Sequence, residues 1–235
     1  MAGLGGGFLI VPLLRLVFGI APALATADSL SFTFANTLAA SIAFLQQRAV
    51  DVPRGIVVTI AAIPSSIAGA YVVRLFAIRD FDFVYGAFLV TVATIVLLRR
   101  NHEPQPRNLS AGAKIALEIA TGLFVGFISS LFGVGGGIVL VPILLVIFRQ
   151  AVHTVAATSA FVVMLTSPIG VVAHGLYGDV EPWVALPLML GGFLGGSTGA
   201  RLARRLHARD LSTVMAGLLF VAALALVLKY FHYRL

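Results

Sequence analysis

Long apolar runs that contain no Asp, Glu, Lys or Arg recur along the chain. These runs span residues 84–98, 119–148, 154–178 and 211–228. About 20 apolar residues in a helix cross the hydrocarbon core of a bilayer, and inside lipid every backbone N–H and C=O group must be paired. The runs lack the alternation of apolar and polar positions that is typical of a membrane barrel. The pattern therefore predicts an all-α membrane protein with several spans.

The second half of the chain repeats the first half. With a shift of 130 residues, positions 3–100 align with positions 133–230 without a gap, and 22 of the 98 pairs are identical. We therefore divide the chain into a first helical repeat at 1–100, a polar linker at 101–108 and a second helical repeat at 109–235. The second repeat opens with an apolar helix near Ala113–Phe132. Its counterpart is missing from the first repeat, and we expect the true start of that repeat to lie upstream.

Composition and charge agree with a membrane protein. The chain is 60% hydrophobic and 11% charged, whereas soluble domains are about 45–50% apolar and about 25% charged. The net charge of +7 comes from basic residues at the ends of apolar runs, which indicates membrane orientation and not nucleic-acid binding. With a cytoplasmic linker and an odd number of spans per repeat, eleven basic residues lie inside and five outside. An odd number makes the repeats inverted, as in many secondary transporters.

The sharpest motif is Gly133-Val134-Gly135-Gly136-Gly137, followed by Pro142, and the first repeat carries its twin at 3–7, followed by Pro12. Each glycine costs about 1 kcal/mol in a helix interior relative to alanine, so the motif predicts a broken helix in each repeat. A helix that restarts at about Gly137 directs unpaired N–H groups and its positive dipole end at the break, which favours an anion. The alternative is that these glycines only allow close helix packing. The predicted substrate site therefore includes Gly5, Gly6, Gly7, Gly135, Gly136 and Gly137.

Hydroxyl and amide side chains recur in the helix that follows each broken segment. They are Ser29, Asn36 and Thr37 in the first repeat and Thr158, Ser159, Thr166 and Ser167 in the second. Such donors suit an oxyanion that must bind and then leave, so we add them to the predicted site. The alternative for each hydroxyl is a bond to its own preceding helical turn. Pro168 is expected to interrupt its helix after Ser167, because proline removes a backbone donor, and Pro12 and Pro142 are likewise assigned to helix breaks.

Asp28 is an ionisable residue inside a predicted span, and it stands where the second repeat has Thr158. An intramembrane carboxyl is a functional hypothesis by default. Asp28 is a candidate for proton coupling or for pairing with a cation such as sodium, and the alternative is that it caps its helix. No residue pattern indicates a metal site, a cofactor or an enzyme: paired carboxylates, cysteines and a nucleophile elbow are all missing from the sequence.

At the glycine motifs the sequence resembles the TauE/SafE family of membrane transporters, also called the sulfite exporter family. The matching stretches are 133–142, Thr158-Ser159-Ala160, 178–182 and 195–200, and the first repeat follows the same order more weakly. The resemblance implies transport of small anions such as sulfite, sulfoacetate or thiosulfate, in a bacterial inner membrane. Two features depart from the family pattern: the missing leading helix, and Asp28 where the family usually has threonine.

The sequence therefore predicts a secondary transporter of small anions. The anion is expected to bind near the membrane midplane, between the two glycine breaks. The expected partners are the anion, the lipid bilayer and a coupling proton or sodium ion, and the oligomeric state is left open. The alternatives are a membrane binding or assembly subunit that carries no substrate and, less favoured, a membrane enzyme.

Overall fold

The computed structural model describes residues 5–98, 110–148, 150–203, 217–226 and 228–229. These residues form nine helices and no strand, so the all-helical prediction is confirmed. The predicted linker at 101–108 and the basic residues at 204–209 lie outside the described residues. In chain order the helices are α1 (Gly7–Leu16), α2 (Pro22–Gln46), α3 (Val52–Val73), α4 (Ile78–Leu98), α5 (Ala111–Phe132), α6 (Gly137–Val146), α7 (Val152–Gly175), α8 (Pro182–Ala203) and α9 (Gly217–Leu226).

Local sequence signals explain where several helices begin. Pro22 occupies the first position of α2, where a missing backbone donor has no cost because that N–H lacks a helical partner in any case. Asp51 and Ser110 precede α3 and α5, and each side chain accepts a hydrogen bond from a backbone N–H of the first turn. Such caps satisfy donors that the helix itself leaves unpaired.

Three of the described helices, α3, α5 and α7, are long and apolar enough to cross a membrane. The outer surface is apolar as well: Ile60 is 61% exposed and Leu190 is 69% exposed. Polar side chains such as Ser29 and Asp82 are instead fully buried. This distribution suits a bilayer, in which lipid covers the apolar exterior and polar groups must find partners inside the protein.

Helices α2 and α7 pack along each other, α3 packs on α5 and α7, and α8 packs on α2. The backbone N–H of Glu181, just before α8, donates to Asp28 near the start of α2. The backbone N–H of Asp51, just before α3, donates to Thr158 near the start of α7. Glu181 also follows the end of α7, and Asp51 follows the end of α2. The start of each of these two helices therefore lies beside the end of the other, so α2 and α7 run in opposite directions. The two contacts join residue pairs that the 130-residue shift relates to each other.

Glycines let α5 approach α3 closely. A Cβ added to Gly126 would lie 2.5 Å from Ser65 Oγ, and one added to Gly122 would lie 2.6 Å from Ala61 Cβ. The repeat relates Ala61 and Ser65 to Gly191 and Gly195 on α8, which have no atom within 4 Å of an added Cβ. The face of α3 that α5 covers therefore corresponds to a face of α8 that the described residues leave open.

A buried ion pair and an aromatic cluster fix α4 against α1 and α5. Arg15 binds Asp82 through two hydrogen bonds of 2.8 and 2.7 Å, and both side chains are almost completely buried. A bidentate pair of this kind satisfies both charges away from water. Beside it, aromatic rings of α4 pack on Phe132 at the end of α5, with the rings of Phe88 and Phe132 stacked at 4.5 Å.

One local prediction is wrong. Helix α7 runs from Val152 to Gly175 without a break, and Pro168 lies inside it. Proline removes one hydrogen bond and crowds the carbonyl one turn back, and neighbouring helices can compensate for this in a membrane protein. The packing of α7 on α2 and α3 keeps the helix continuous.

Candidate functional site

In both glycine motifs the described glycines adopt the left-handed backbone conformation, and in the second motif they separate α5 from α6. In the second repeat Gly133, Gly135 and Gly136 have φ values of 68°, 70° and 79°, and α6 begins at Gly137. In the first repeat Gly5 and Gly6 have φ values of 76° and 79°, and α1 begins at Gly7. Glycine adopts this conformation readily, whereas other residues do so at a cost. The predicted break and the restart at Gly137 are confirmed.

The prolines after the motifs do not make the breaks. Pro12 and Pro142 lie inside α1 and α6, six residues into each helix. Pro12 leaves the carbonyl of Phe8 without its helical donor. The Tyr85 hydroxyl donates to that carbonyl at 3.4 Å from α4. Left-handed glycines, and not the prolines, therefore lie at the end of α5 and just before the starts of α1 and α6.

The two breaks meet in the interior of the molecule. The Ser29 hydroxyl lies 3.0 Å from the carbonyl oxygen of Gly7 and 2.7 Å from that of Gly133, and it donates to both. A Cβ added to Gly7 would lie 2.5 Å from the Gly133 oxygen. A Cβ added to either Gly5 or Gly135 would meet the same two side chains, Thr33 and Val163. The packing at the breaks is so close that an added carbon atom at these glycines would collide with its neighbours.

Helices α1 and α6 both start at this meeting point. In each, a third-position N–H bonds back to the preceding glycine: Leu9 to Gly6 at 3.2 Å and Val139 to Gly136 at 3.1 Å. The first N–H groups of a helix have no partner within it, and they carry the positive end of the helix dipole. Two positive helix ends therefore lie together at a buried place, which is a favourable environment for a negative charge.

Buried hydroxyl groups stand beside the glycine backbone. Thr33 Oγ1 would lie 2.5 Å from a Cβ at Gly7, and Ser167 Oγ would lie 3.2 Å from a Cβ at Gly135. Both oxygens are buried and have no hydrogen-bond partner among the described residues, and the same holds for Ser129 near Gly136. Buried polar groups are normally paired. Unpaired hydroxyls at two helix ends are free to donate to a ligand with acceptor oxygens.

The structure separates the predicted polar residues by role. Asn36 donates to the carbonyl of Gly5 at 2.7 Å, so it belongs to the first break. Thr37 and Thr166 bond to carbonyls of their own helices, and Thr158 accepts from the backbone N–H of Asp51. Ser159 is fully buried on α7. These contacts bring Ser29, Asn36 and Ser167 to the breaks and give Thr158 a capping role.

Thr33 is not among the predicted site residues, and its counterpart in the second repeat, Val163, is apolar. A different signal was present. Ser29, Thr33 and Thr37 recur at four-residue spacing, which places them on one face of α2. This row of polar residues on one face of α2 indicates Thr33 from the sequence.

Other features of the described residues do not fit an anion or a metal. An apolar groove between α2 and α8 is lined by Phe34, Leu38, Leu186, Leu190 and Phe193, with no group that recognises charge. No three His, Cys, Asp or Glu side chains come together among the residues that the structure describes. The glycine breaks are therefore the best candidate for the functional site.

Comparison of the sequence with known proteins places the chain in a family. The sequence profile described as "Sulfite exporter TauE/SafE" matches residues 1–226. The chain is 29% identical to the probable membrane transporter protein YunE of Bacillus subtilis, over 97% of this chain and 91% of that protein. It is 26% identical to the probable membrane transporter protein MJ0441 of Methanocaldococcus jannaschii, over 96% and 89% of the two chains. No solved structure matches the chain significantly.

Proposed function

The chain belongs to the sulfite exporter TauE/SafE family of membrane transporters, and from this premise we propose that it is a secondary transporter of small anions. Its substrates are sulfur-containing oxyanions or organosulfonates, such as sulfite, thiosulfate or sulfoacetate. The family description supports the sulfur-anion class. The observation that carries the proposal is the meeting of two helix N-termini, α1 and α6, at buried glycine breaks.

The chemistry of the breaks suits binding followed by release. Backbone N–H groups and the hydroxyls of Thr33 and Ser167 offer neutral donors to an oxyanion. A guanidinium or ammonium group would hold an anion through a stronger, charge-assisted bond. Neutral donors and helix dipoles provide weaker binding, which allows the anion to leave on the other side.

We propose further that the two repeats are inverted in the membrane. The opposite directions of α2 and α7, which the 130-residue shift relates, support this arrangement. The 130-residue shift relates Gly5 to Gly135 and Thr33 to Val163. Each of the two glycines contacts both of these side chains, as expected for a twofold relation between the repeats. Because the breaks are closely packed, transport requires one repeat to rock against the other, which opens the site to each side in turn.

The experiment tests the hydroxyl of Thr33 in the purified full chain. Thr33→Val removes a hydroxyl that has no described partner and keeps the shape of the side chain. The matched control is Thr59→Val on α3, whose hydroxyl bonds to the Gly55 carbonyl of its own helix at 2.8 Å. Melting temperature is measured with thiosulfate, sulfite, sulfoacetate and chloride, and uptake of labelled thiosulfate is measured in proteoliposomes.

We expect the sulfur anions to raise the melting temperature of the wild type and of Thr59→Val, because a ligand that binds only the native state stabilises it. Thr33→Val should fold but lose most of this rise and most of its uptake. Equal responses of the two variants would refute the assignment of the site. Anion stabilisation without any uptake would favour a binding subunit that does not transport.

A further inference from the structure

Asp28 carries an ionisable carboxyl group that its structural role does not require. Its side chain is fully buried in α2, and Oδ1 accepts a hydrogen bond from the backbone N–H of Glu181 at 3.4 Å. At the related position of the second repeat, the Thr158 hydroxyl accepts from the backbone N–H of Asp51 at 3.0 Å. A neutral oxygen is therefore sufficient for this contact. The carboxyl group at position 28 adds an ionisable group and a second oxygen.

The second oxygen of Asp28, Oδ2, is buried and has no hydrogen-bond partner among the described residues. The charged residue at its contact point, Glu181, has the same sign of charge. Four other titratable groups near the helices that pack on α2 have partners elsewhere: Arg15 with Asp82, Arg54 with Asp51 and Glu118, Arg74 with Asp179, and His174 Nε2 with the Ser130 carbonyl. The second ring nitrogen of His174, Nδ1, has no partner among the described residues. A buried carboxylate without a countercharge is disfavoured, whereas the protonated carboxyl is neutral.

The helical turn that carries Asp28 lies against the second glycine break. A Cβ added to Gly133 would lie 2.7 Å from Thr26 Cα, two residues before Asp28. Ser29, the next residue, donates to the Gly133 carbonyl at 2.7 Å and to the Gly7 carbonyl at 3.0 Å. Asp28 is therefore close enough to the breaks for its charge to influence an anion bound there.

We propose that Asp28 binds a proton that moves together with the anion, an inference that rests on the proposed function. An anion at the breaks favours the neutral carboxyl, because two negative charges in a buried site repel each other. Binding linkage is reciprocal, so protonation of Asp28 raises the affinity for the anion. The proton comes from water on the side where the anion binds and returns to water where the anion leaves. Only an O–H bond forms and breaks.

The test uses the full chain in proteoliposomes, with labelled thiosulfate outside and a pH-sensitive dye inside. For the wild type we expect thiosulfate entry to acidify the lumen. Its affinity for thiosulfate should fall as the pH rises, by up to about tenfold per pH unit, because deprotonation of Asp28 leaves a like charge near the anion. In Asp28→Asn and Asp28→Thr the affinity should be independent of pH and the lumen should not acidify. Asp28→Thr installs the residue of the second repeat, which makes the same capping contact there.

Glu181→Gln is the matched control, because Glu181 contacts Asp28 through its backbone N–H. This variant should still couple thiosulfate entry to acidification of the lumen, because it retains the Asp28 carboxyl group. Proton movement that persists in both Asp28 variants, or wild-type uptake without acidification, would overturn the coupling and leave the proposed function intact. Absence of binding and uptake of every sulfur anion by the wild type would overturn both. If the Asp28 variants do not fold, a wild-type affinity that is constant with pH refutes the coupling.

Discussion

Removal of one hydroxyl, in Ser29→Ala, should loosen the contact between the two repeats. The Ser29 hydroxyl bonds to the carbonyls of Gly7 and Gly133, and the second of these bonds joins residues 104 positions apart. Ser31→Ala is the matched control on the same helix. Ser31 is also buried, but its hydroxyl bonds only to the carbonyl of Ala27 in its own helix, at 3.3 Å.

The magnitude follows from the hydrogen bonds that are lost. A buried acceptor left without its donor costs about 1–3 kcal/mol, whereas a typical intramolecular hydrogen bond contributes about 0.5–1.5 kcal/mol net. The gain in helix propensity from serine to alanine is the same in both variants and cancels. We expect Ser29→Ala to be less stable than Ser31→Ala by about 1–2 kcal/mol, or about 2–8 °C in melting temperature for a chain of this length.

The two variants are compared by thermal unfolding in one detergent and by thiosulfate uptake in proteoliposomes. Ser29→Ala should also lose uptake, because the carbonyls it holds belong to the two breaks. Ser31→Ala should retain the activity of the wild type. Equal melting temperatures and equal uptake in the two variants would show that the Ser29 bridge does not hold the breaks together, and the reasoning would fail.

Two further matched pairs test the packing of the helices. Gly126→Val should destabilise the protein by about 1–3 kcal/mol, the usual cost of overpacking, because Gly126 lies against the backbone of α3. Gly195→Val should be tolerated, because no atom of the described residues lies within 4 Å of a Cβ added there. Similar melting temperatures would contradict this packing. Asp82→Asn should cost about 3–5 kcal/mol by leaving the buried Arg15 unpaired. Asp80→Asn, at an exposed pair, should change stability by about 0.5 kcal/mol or less, and an equally large loss in Asp80→Asn would refute the distinction.

The backbone of the candidate site could be read from the sequence because its cause is local. Four glycines in five residues disfavour a helix whatever surrounds them, and the observed φ values of Gly135 and Gly136 show how the chain turns there. The prediction that Pro168 interrupts its helix is wrong, because neighbouring helices can compensate for the missing hydrogen bond in a membrane protein. Packing against α2 and α3 decides whether α7 bends or breaks at that position.

The hydrophobic runs determine that the chain folds into membrane helices, because lipid allows few other ways to pair the backbone. The internal duplication predicts that these helices form two related sets. Which side chains face the breaks was decided only by tertiary structure. Thr33 stands beside the glycines of both repeats, and Asp28 contacts the start of α8, 153 residues away. Such contacts depend on how distant helices pack against one another, and no local sequence preference specifies that geometry.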